Sequence, residues 1–219
     1  MTTTTAPALS PSLRERLLRL ALRTTSQFRA ALLAMLSDDY EVAGTEPVLS
    51  VPQPGNCWVV DGRHGRTLVS RTLPIWDIDS IDLTADDESL LNRFQAQLEG
   101  FAPEFSFRLY RTLAGVRVIC TSYAIDLTDP EHLEGFMELG RQIGADPVYM
   151  ELCRKQQTCR ARLDPKKSRH GVAAPANARA CRLIGEDIGN GTTDPALMAQ
   201  VEFHDRATMA LFEHGRELF

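Results

Sequence analysis

Hydrophobic and polar residues follow two different periods in the middle of the chain, from residue 73 to residue 165. Segments of period two, which predict strands, alternate with segments of helical period. In chain order they are "LPIWDIDSI", "TADDESLLNRFQAQLEG", "FSFRLYRT", "VRVICTS", "DPEHLEGFMELGRQIG" and "TCRARLDP". This β-α-β-β-α-β order predicts an α+β fold built on an RRM-like or ferredoxin-like split sheet.

The predicted helices carry recognisable start and stop signals. Thr84 is the expected N-cap of the first helix, and Gly100 is expected to close it. The second helix is expected to begin with Asp129 as N-cap and Pro130 at its first position, and to end at Gly144.

The segments before and after this core are expected to add further helices and strands to it. Residues 1–10 read as a disordered leader, and residues 11–72 as an N-terminal extension. That extension combines an amphipathic helix, or two, over 11–37 with a β-hairpin around "DGRHG". The core is expected to span 73–175. In the remaining segment, 176–219, "LMAQVEFHD" predicts a strand and "ATMALFEHGRELF" a terminal helix, both packing on the core.

Each of the four core strands has one apolar face and one mainly polar face, because side chains alternate along a strand. Two helices cover the apolar face, so the polar face is expected to be open. The strand order expected for this fold is 4-1-3-2, which places the first strand between the third and the fourth. The polar face would then carry Asp77, Asp79, Arg108, Tyr110, Arg117, Arg160, Arg162 and Asp164.

Asp77 and Asp79 are the candidate metal ligands. Carboxylates at positions i and i+2 of a strand lie roughly 6–7 Å apart. Such a pair suits two divalent ions about 3.5–4 Å apart, and oxygen ligands favour Mg²⁺ or Mn²⁺. Nearby arginines would hold phosphate oxygens, and Tyr110 would stack on a base or cap a neighbouring element. A charged, solvated sheet face without function is the alternative interpretation.

Three segments in this order resemble the motifs of the archaeo-eukaryotic primase superfamily, the primase-polymerases. "PIWDID" is similar to the family's hhhDhD strand, "YRTLAGVRVI" to its hairpin motif, and "RARLDP" to its acidic strand end. The resemblance implies a metal-dependent nucleotidyltransferase in which Asp77, Asp79 and Asp164 hold Mg²⁺ or Mn²⁺. It also implies a nucleoside triphosphate or single-stranded nucleic acid as partner.

Arg117 is a departure from the family pattern, since it occupies the position of a histidine that binds nucleotide phosphates. Arginine also contacts phosphate, but it cannot act as a neutral imidazole. The resemblance therefore favours nucleotide binding over polymerisation, and a degenerate member is an alternative.

The basic run "RKQQTCRARLDPKKSRH" supports contact with nucleotide or nucleic-acid phosphates. It contributes Lys166 and Lys167 to the predicted substrate-binding residues, beside Arg160 and Arg162. Basic side chains on a strand edge also discourage unwanted strand pairing, so a purely structural role is the alternative.

Composition narrows the functional classes further. The chain has 219 residues and a net charge of −5, which argues against a basic surface for duplex DNA. Five cysteines at irregular spacing and no secretory signal predict reduced thiols and a cytoplasmic location. The spacing of Cys153, Cys159, His170 and Cys181 does not match a structural zinc site. No apolar stretch is long enough to span a membrane.

Two function hypotheses remain at this point. The first is metal-dependent nucleotidyl transfer, or nucleotide binding, by a primase-polymerase-like sheet. The second is a non-catalytic RRM-like module that binds RNA or a protein partner through its open sheet. His204 and Asp205 invite a general-base interpretation, but a surface pair at a strand end is the favoured one.

Overall fold

The computed structural model describes residues 48–50, 57–62, 65–79, 84–165 and 178–211. All of them belong to one unit, Glu46–Phe219. The strands are β1 (Val48–Ser50), β2 (Cys57–Gly62), β3 (Gly65–Ser70), β4 (Ile75–Ile78), β5 (Ser106–Thr112), β6 (Val116–Cys120), β7 (Cys159–Arg162) and β8 (Cys181–Gly189). The helices are α1 (Asp87–Phe101), α2 (Pro130–Ile143), α3 (Pro147–Gln156) and α4 (Pro195–Thr208).

Some predictions fall outside the described residues. These are the leader over 1–10, the helix over 11–37, the two lysines Lys166 and Lys167, and residues 212–219 of the predicted terminal helix. The first two residues of that predicted helix, Ala207 and Thr208, are the last two of α4. Within the described residues, no helix is long and apolar enough to cross a membrane.

The strands form two antiparallel sheets, so the predicted α+β class is confirmed. Sheet A has the order β1-β2-β3-β7, and sheet B has the order β4-β6-β5-β8. The hairpin predicted around "DGRHG" is confirmed as β2 and β3, which pair from Gly62–Gly65 to Cys57–Ser70.

The strand β7 does not occupy its expected place beside β4. The predicted neighbours β4, β6 and β5 do lie in that order, but β7 is hydrogen-bonded to β3, with Leu68 opposite Ala161. The predicted strand order did not include the β2–β3 hairpin, which was assigned to the N-terminal extension. In the structure the hairpin belongs to sheet A, and β7 pairs with the free side of β3.

Capping residues determine where the helices begin and end. Asp86, rather than the predicted Thr84, caps α1 by accepting a 2.7 Å hydrogen bond from the backbone N–H of Ser89. The helix also runs through Phe101, one residue beyond the predicted closing glycine. Helix α2 begins and ends as predicted, with Asp129 as N-cap and Gly144 in the left-handed conformation at φ 78°.

The polar face of sheet B is covered, which corrects the expectation of an open face. Tyr110 and Ile119 on this face are fully buried. The rings of Tyr110 and His204 of α4 contact each other edge to face, with their centroids 5.0 Å apart. The segment "LMAQVEFHD", predicted as a strand, belongs to this helix. Its buried polar residues suit it to cover a polar face.

The opposite face of sheet B carries the main apolar core. Trp76, Phe107 and Val118 are buried there with Phe94 of α1 and Phe136 of α2. Phe136 of α2 stacks on Trp76 with the ring centroids 4.9 Å apart, so this helix packs on the apolar face.

Asp87 at the start of α1 links this helix to two strands of sheet B. Its carboxylate accepts hydrogen bonds from Arg111 Nε at 2.8 Å and Arg182 Nη2 at 2.9 Å. Burial alone would raise the pKa of Asp87, but the two guanidinium groups outweigh burial and hold it below the ordinary 3.8. The carboxylate therefore stabilises the fold in its ionised form.

Substituting Asp87→Asn is expected to remove this pH-dependent stabilisation. Because the folded pKa is lowered, the contribution is complete above 3.8 and is lost as the pH falls through the folded pKa. Urea unfolding should show a stability difference between wild type and variant that is constant above about pH 5 and shrinks in acid. A difference that stays unchanged down to the lowest measurable pH would contradict this role.

Candidate functional site

Residues from four strands, β4, β5, β6 and β7, line one cavity of about 130 Å³, here called the Asp77 cavity. Its lining consists of Asp77, Asp79, Thr112, Leu113, Ala114, Arg117, Arg162, Asp164 and Ala180. The structure thus brings together all three predicted carboxylates and two of the predicted arginines. They come from the end of β4, from β6 and from the end of β7, so the two sheets share this cavity.

Asp77 and Arg117 form a two-pronged ion pair across neighbouring strands. They lie directly opposite each other in the β4–β6 register. Arg117 Nε and Nη2 donate to Oδ1 and Oδ2 of Asp77 at 2.8 and 3.2 Å. Arg117 is only 4% exposed. Burial alone would lower the pKa of Arg117, but the Asp77 carboxylate outweighs burial and raises it.

Asp164 is held in a similar way by Arg66 of β3. The backbone N–H of Arg66 donates to Oδ2 at 2.7 Å, and its Nε and Nη2 donate to Oδ1 at 2.9 and 2.7 Å. Arg66 was not predicted as a site residue, because its strand was assigned to the N-terminal extension. No sequence signal paired it with a carboxylate 98 residues away.

The carboxylates in this arrangement do not fit the predicted Mg²⁺ or Mn²⁺ centre. Both oxygens of Asp77 face the guanidinium of Arg117, so a divalent cation there would meet an existing positive charge. Asp164 has its own arginine, and Asp79 is exposed at the rim. Across the described parts of the chain, no three His, Cys, Asp or Glu residues form a group that could hold a metal.

A buried polar network lies behind Arg117. Its Nη1 donates to the carbonyl oxygen of Arg162 at 3.3 Å and lies 3.2 Å from Nε2 of His204. Since arginine can only donate, this imidazole nitrogen accepts, and the ring proton is on Nδ1. That proton is directed to Oδ1 of Asp205, 3.0 Å away. Arg117 therefore ties β4, β7 and α4 together.

The structure corrects the surface interpretation of His204 and Asp205, which lie in α4 and are buried. Cys181 Sγ is 3.9 Å from His204 Nε2, so the three side chains have the order of a nucleophile, a base and an orienting acid. None of the three is more than 2% exposed. Because a substrate has no access to them, we assign them to the core of the fold.

The other predicted site residues that the structure describes, Arg108, Tyr110 and Arg160, do not line the cavity. Tyr110 is fully buried, so it does not offer a ring on which a base could stack; burial and the Asp205 carboxylate raise its pKa well above 10.0. Arg108 binds Asp187 and Asp205 at 2.9 Å each. The backbone N–H of Arg160 donates to a tyrosine hydroxyl at 3.2 Å, and its side chain does not line the cavity.

Comparisons with known proteins do not add a relative. No family model, curated protein or solved structure matches this chain.

Proposed function

We propose that this chain is a primase-polymerase-like nucleotide-binding protein. In this proposal the Asp77 cavity binds a nucleoside triphosphate, and the binding needs no divalent metal. The observation that supports it most is the convergence of the three motif segments, which are far apart in sequence, on one cavity. The order β4-β6-β5 with α1 and α2 agrees with a split β-α-β-β-α-β core whose last strand has joined sheet A.

Arg162 is the residue that we expect to contact the phosphates. It lines the cavity from β7, is half-buried, and carries a permanent positive charge. Arg117 is less accessible to a ligand, because it is only 4% exposed, whereas Arg162 is half-buried. A guanidinium at the cavity wall can hold phosphate oxygens through paired hydrogen bonds.

The two ion pairs argue against metal-dependent transfer as the activity. Removing Arg117 from Asp77 to admit a metal would leave a buried cation without its partner, which is costly. The co-location of three aspartates on one cavity nevertheless favours metal-dependent nucleotidyl transfer as the second candidate. A module that binds RNA through an open sheet has less support, because the polar face of sheet B is covered.

Nucleotide binding should raise the thermal stability of the protein in the presence of EDTA. At about 100 times the dissociation constant, a ligand stabilises by about 2.7 kcal/mol, or roughly 5–10 °C for a chain of this size. We expect ATP or GTP to produce this shift in wild type equally with EDTA and with Mn²⁺. The shift should be lost in Arg162→Gln and kept in Arg154→Gln, an exposed arginine on α3 paired with Glu151.

The same thermal-stability measurement distinguishes the two candidate functions. No shift with any nucleotide, with or without Mn²⁺, would exclude nucleotide binding. A shift that requires Mn²⁺ and disappears in Asp77→Asn would support metal-dependent transfer instead. Primer extension with Mn²⁺ should show no product if the first proposal holds.

A further inference from the structure

A second cavity, of about 380 Å³, lies on the apolar side of sheet B. Its lining includes the aromatic residues Trp76, Phe105, Phe107, Tyr123 and Phe136, and it is here called the aromatic cavity. Trp76 and Asp77 are neighbours on β4 and point to opposite faces. The sheet therefore separates the aromatic cavity from the Asp77 cavity.

Two stacked pairs of aromatic rings contribute to the walls of this cavity. Trp76 stacks on Phe136 with the centroids 4.9 Å apart, and its indole N–H donates to the Phe136 carbonyl oxygen at 3.1 Å. Phe105 stacks on Tyr123, also at 4.9 Å. Trp76 and Phe136 are buried, whereas Tyr123 is 38% exposed. The cavity thus runs from an aromatic interior to an accessible aromatic rim.

The charges around the aromatic cavity are negative. Glu104 and Glu131 are exposed carboxylates of the lining, and the described lining residues include no lysine or arginine. His132 adds no positive charge, because its Nδ1 accepts the backbone N–H of Asp126 at 3.1 Å. Its Nε2 lies 2.9 Å from the hydroxyl of Tyr123, to which it donates.

The partial positive charge at the N-terminus of α2 does not make the surroundings of the aromatic cavity less negative. The Asp129 carboxylate accepts hydrogen bonds from the backbone N–H groups of Glu131 and His132, at 2.8 and 3.2 Å. A capping carboxylate offsets the partial positive charge of a helix N-terminus.

We propose that the aromatic cavity binds a small organic cation, namely an amine or quaternary ammonium group attached to a hydrophobic or aromatic body. Its volume falls within the range of about 300–1,000 Å³ that is typical of small-molecule sites. Aromatic ring faces attract cations, and the two carboxylates at the rim add to that attraction. A neutral molecule of the same shape gains only apolar burial, and an anion meets repulsion from both glutamates.

Three small molecules of similar shape and different charge test whether the aromatic cavity prefers a cation. They are benzyltrimethylammonium, the neutral neopentylbenzene and the anionic phenylmethanesulfonate. Trp58→Phe leaves Trp76 as the only tryptophan, since the chain has two, so its fluorescence reports binding. We expect the cation to bind about 5- to 30-fold more tightly than the neutral probe. The combined Glu104→Gln and Glu131→Gln substitutions should reduce that preference.

Gly135 allows the cavity to be filled without removing any aromatic residue. It lies on α2 in the cavity lining, and a Cβ atom added there meets no atom within 4 Å. Gly135→Leu should therefore abolish cation binding and leave thermal stability unchanged or higher. Gly100→Leu is the matched control, since Gly100 also has open space within a helix and does not line the cavity. It should bind the cation like wild type.

Several results would overturn the proposal. These are equal or tighter binding of the neutral or anionic probe, unchanged binding in Gly135→Leu, and no cation binding up to millimolar concentration.

Discussion

Replacing Arg117 with methionine is expected to destabilise the protein by about 3 kcal/mol or more. The substitution leaves the half-buried Asp77 carboxylate without its cation and deprives the buried His204 of a donor. It also removes the hydrogen bond to the carbonyl oxygen of Arg162. Losing one partner of a buried pair costs more than the pair contributes, because the other partner stays buried and unpaired. Urea unfolding monitored by tryptophan fluorescence measures the change.

Arg66→Met is the control for this experiment. Arg66 also pairs with an aspartate of the Asp77 cavity, but its side chain is 50% exposed. An exposed ion pair contributes only about 0–1 kcal/mol, so this variant should unfold nearly like wild type. Adding Asp77→Asn to Arg117→Met should recover part of the lost stability by removing the unpaired charge. Equal losses in Arg117→Met and Arg66→Met would show that burial does not distinguish the two pairs.

The convergence of the first two motif segments could be predicted from strand alternation, whereas Asp164 was placed with them by a pairing of β7 with β4 that the structure does not have. In "PIWDID" the two aspartates share the side opposite to Trp76, and the register places Asp77 directly across from Arg117. The period of two, together with the order β4-β6-β5, was enough to bring these residues to one face. Strand alternation does not show which charged residues pair with each other. The sequence-based prediction therefore placed the carboxylates on one face, but it named a metal ion as their partner where the structure has arginines.

The cover over this face could not be predicted from hydrophobic periodicity. Helix α4 buries four polar residues, Gln200, His204, Asp205 and Thr208, and only two apolar ones, Leu197 and Val201, so its inward side is mainly polar. "LMAQVEFHD" instead alternates apolar and polar residues, which is typical of a strand. A helix start signal was nevertheless present. Asp194 and Pro195 repeat the Asp-Pro start of α2 and of α3, which begins at Pro147.

The strand β8 was missed for a different reason. Its pairing with β5 shifts register, since Phe107 lies opposite Ile188 while Leu109 lies opposite Ile184. Gly185 in the shifted stretch has φ +61°, a left-handed conformation that suits glycine. The irregularity interrupts the period of two along "CRLIGEDIG". Sequence reasoning based on strict alternation does not detect such a strand.

Gly115→Ala is expected to cost about 3 kcal/mol or to prevent folding, which is at or beyond the usual range for overpacking. A Cβ atom at this position would lie 1.9 Å from the Ile78 carbonyl oxygen and 3.1 Å from the Asp79 Cα. Both contacts are with backbone, so β4 must move, and the rim of the Asp77 cavity moves with it. Nucleotide binding should therefore weaken together with stability.

The control for this steric effect is Gly135→Ala, a glycine with open space around its Cβ position. Alanine in a helix interior is favoured over glycine by about 0.5–1 kcal/mol, so this variant should be slightly more stable than wild type. Urea midpoints of the two alanine variants should lie on opposite sides of the wild-type value. A Gly115→Ala protein as stable as wild type, with unchanged nucleotide binding, would mean that β4 does not approach the β5–β6 turn this closely.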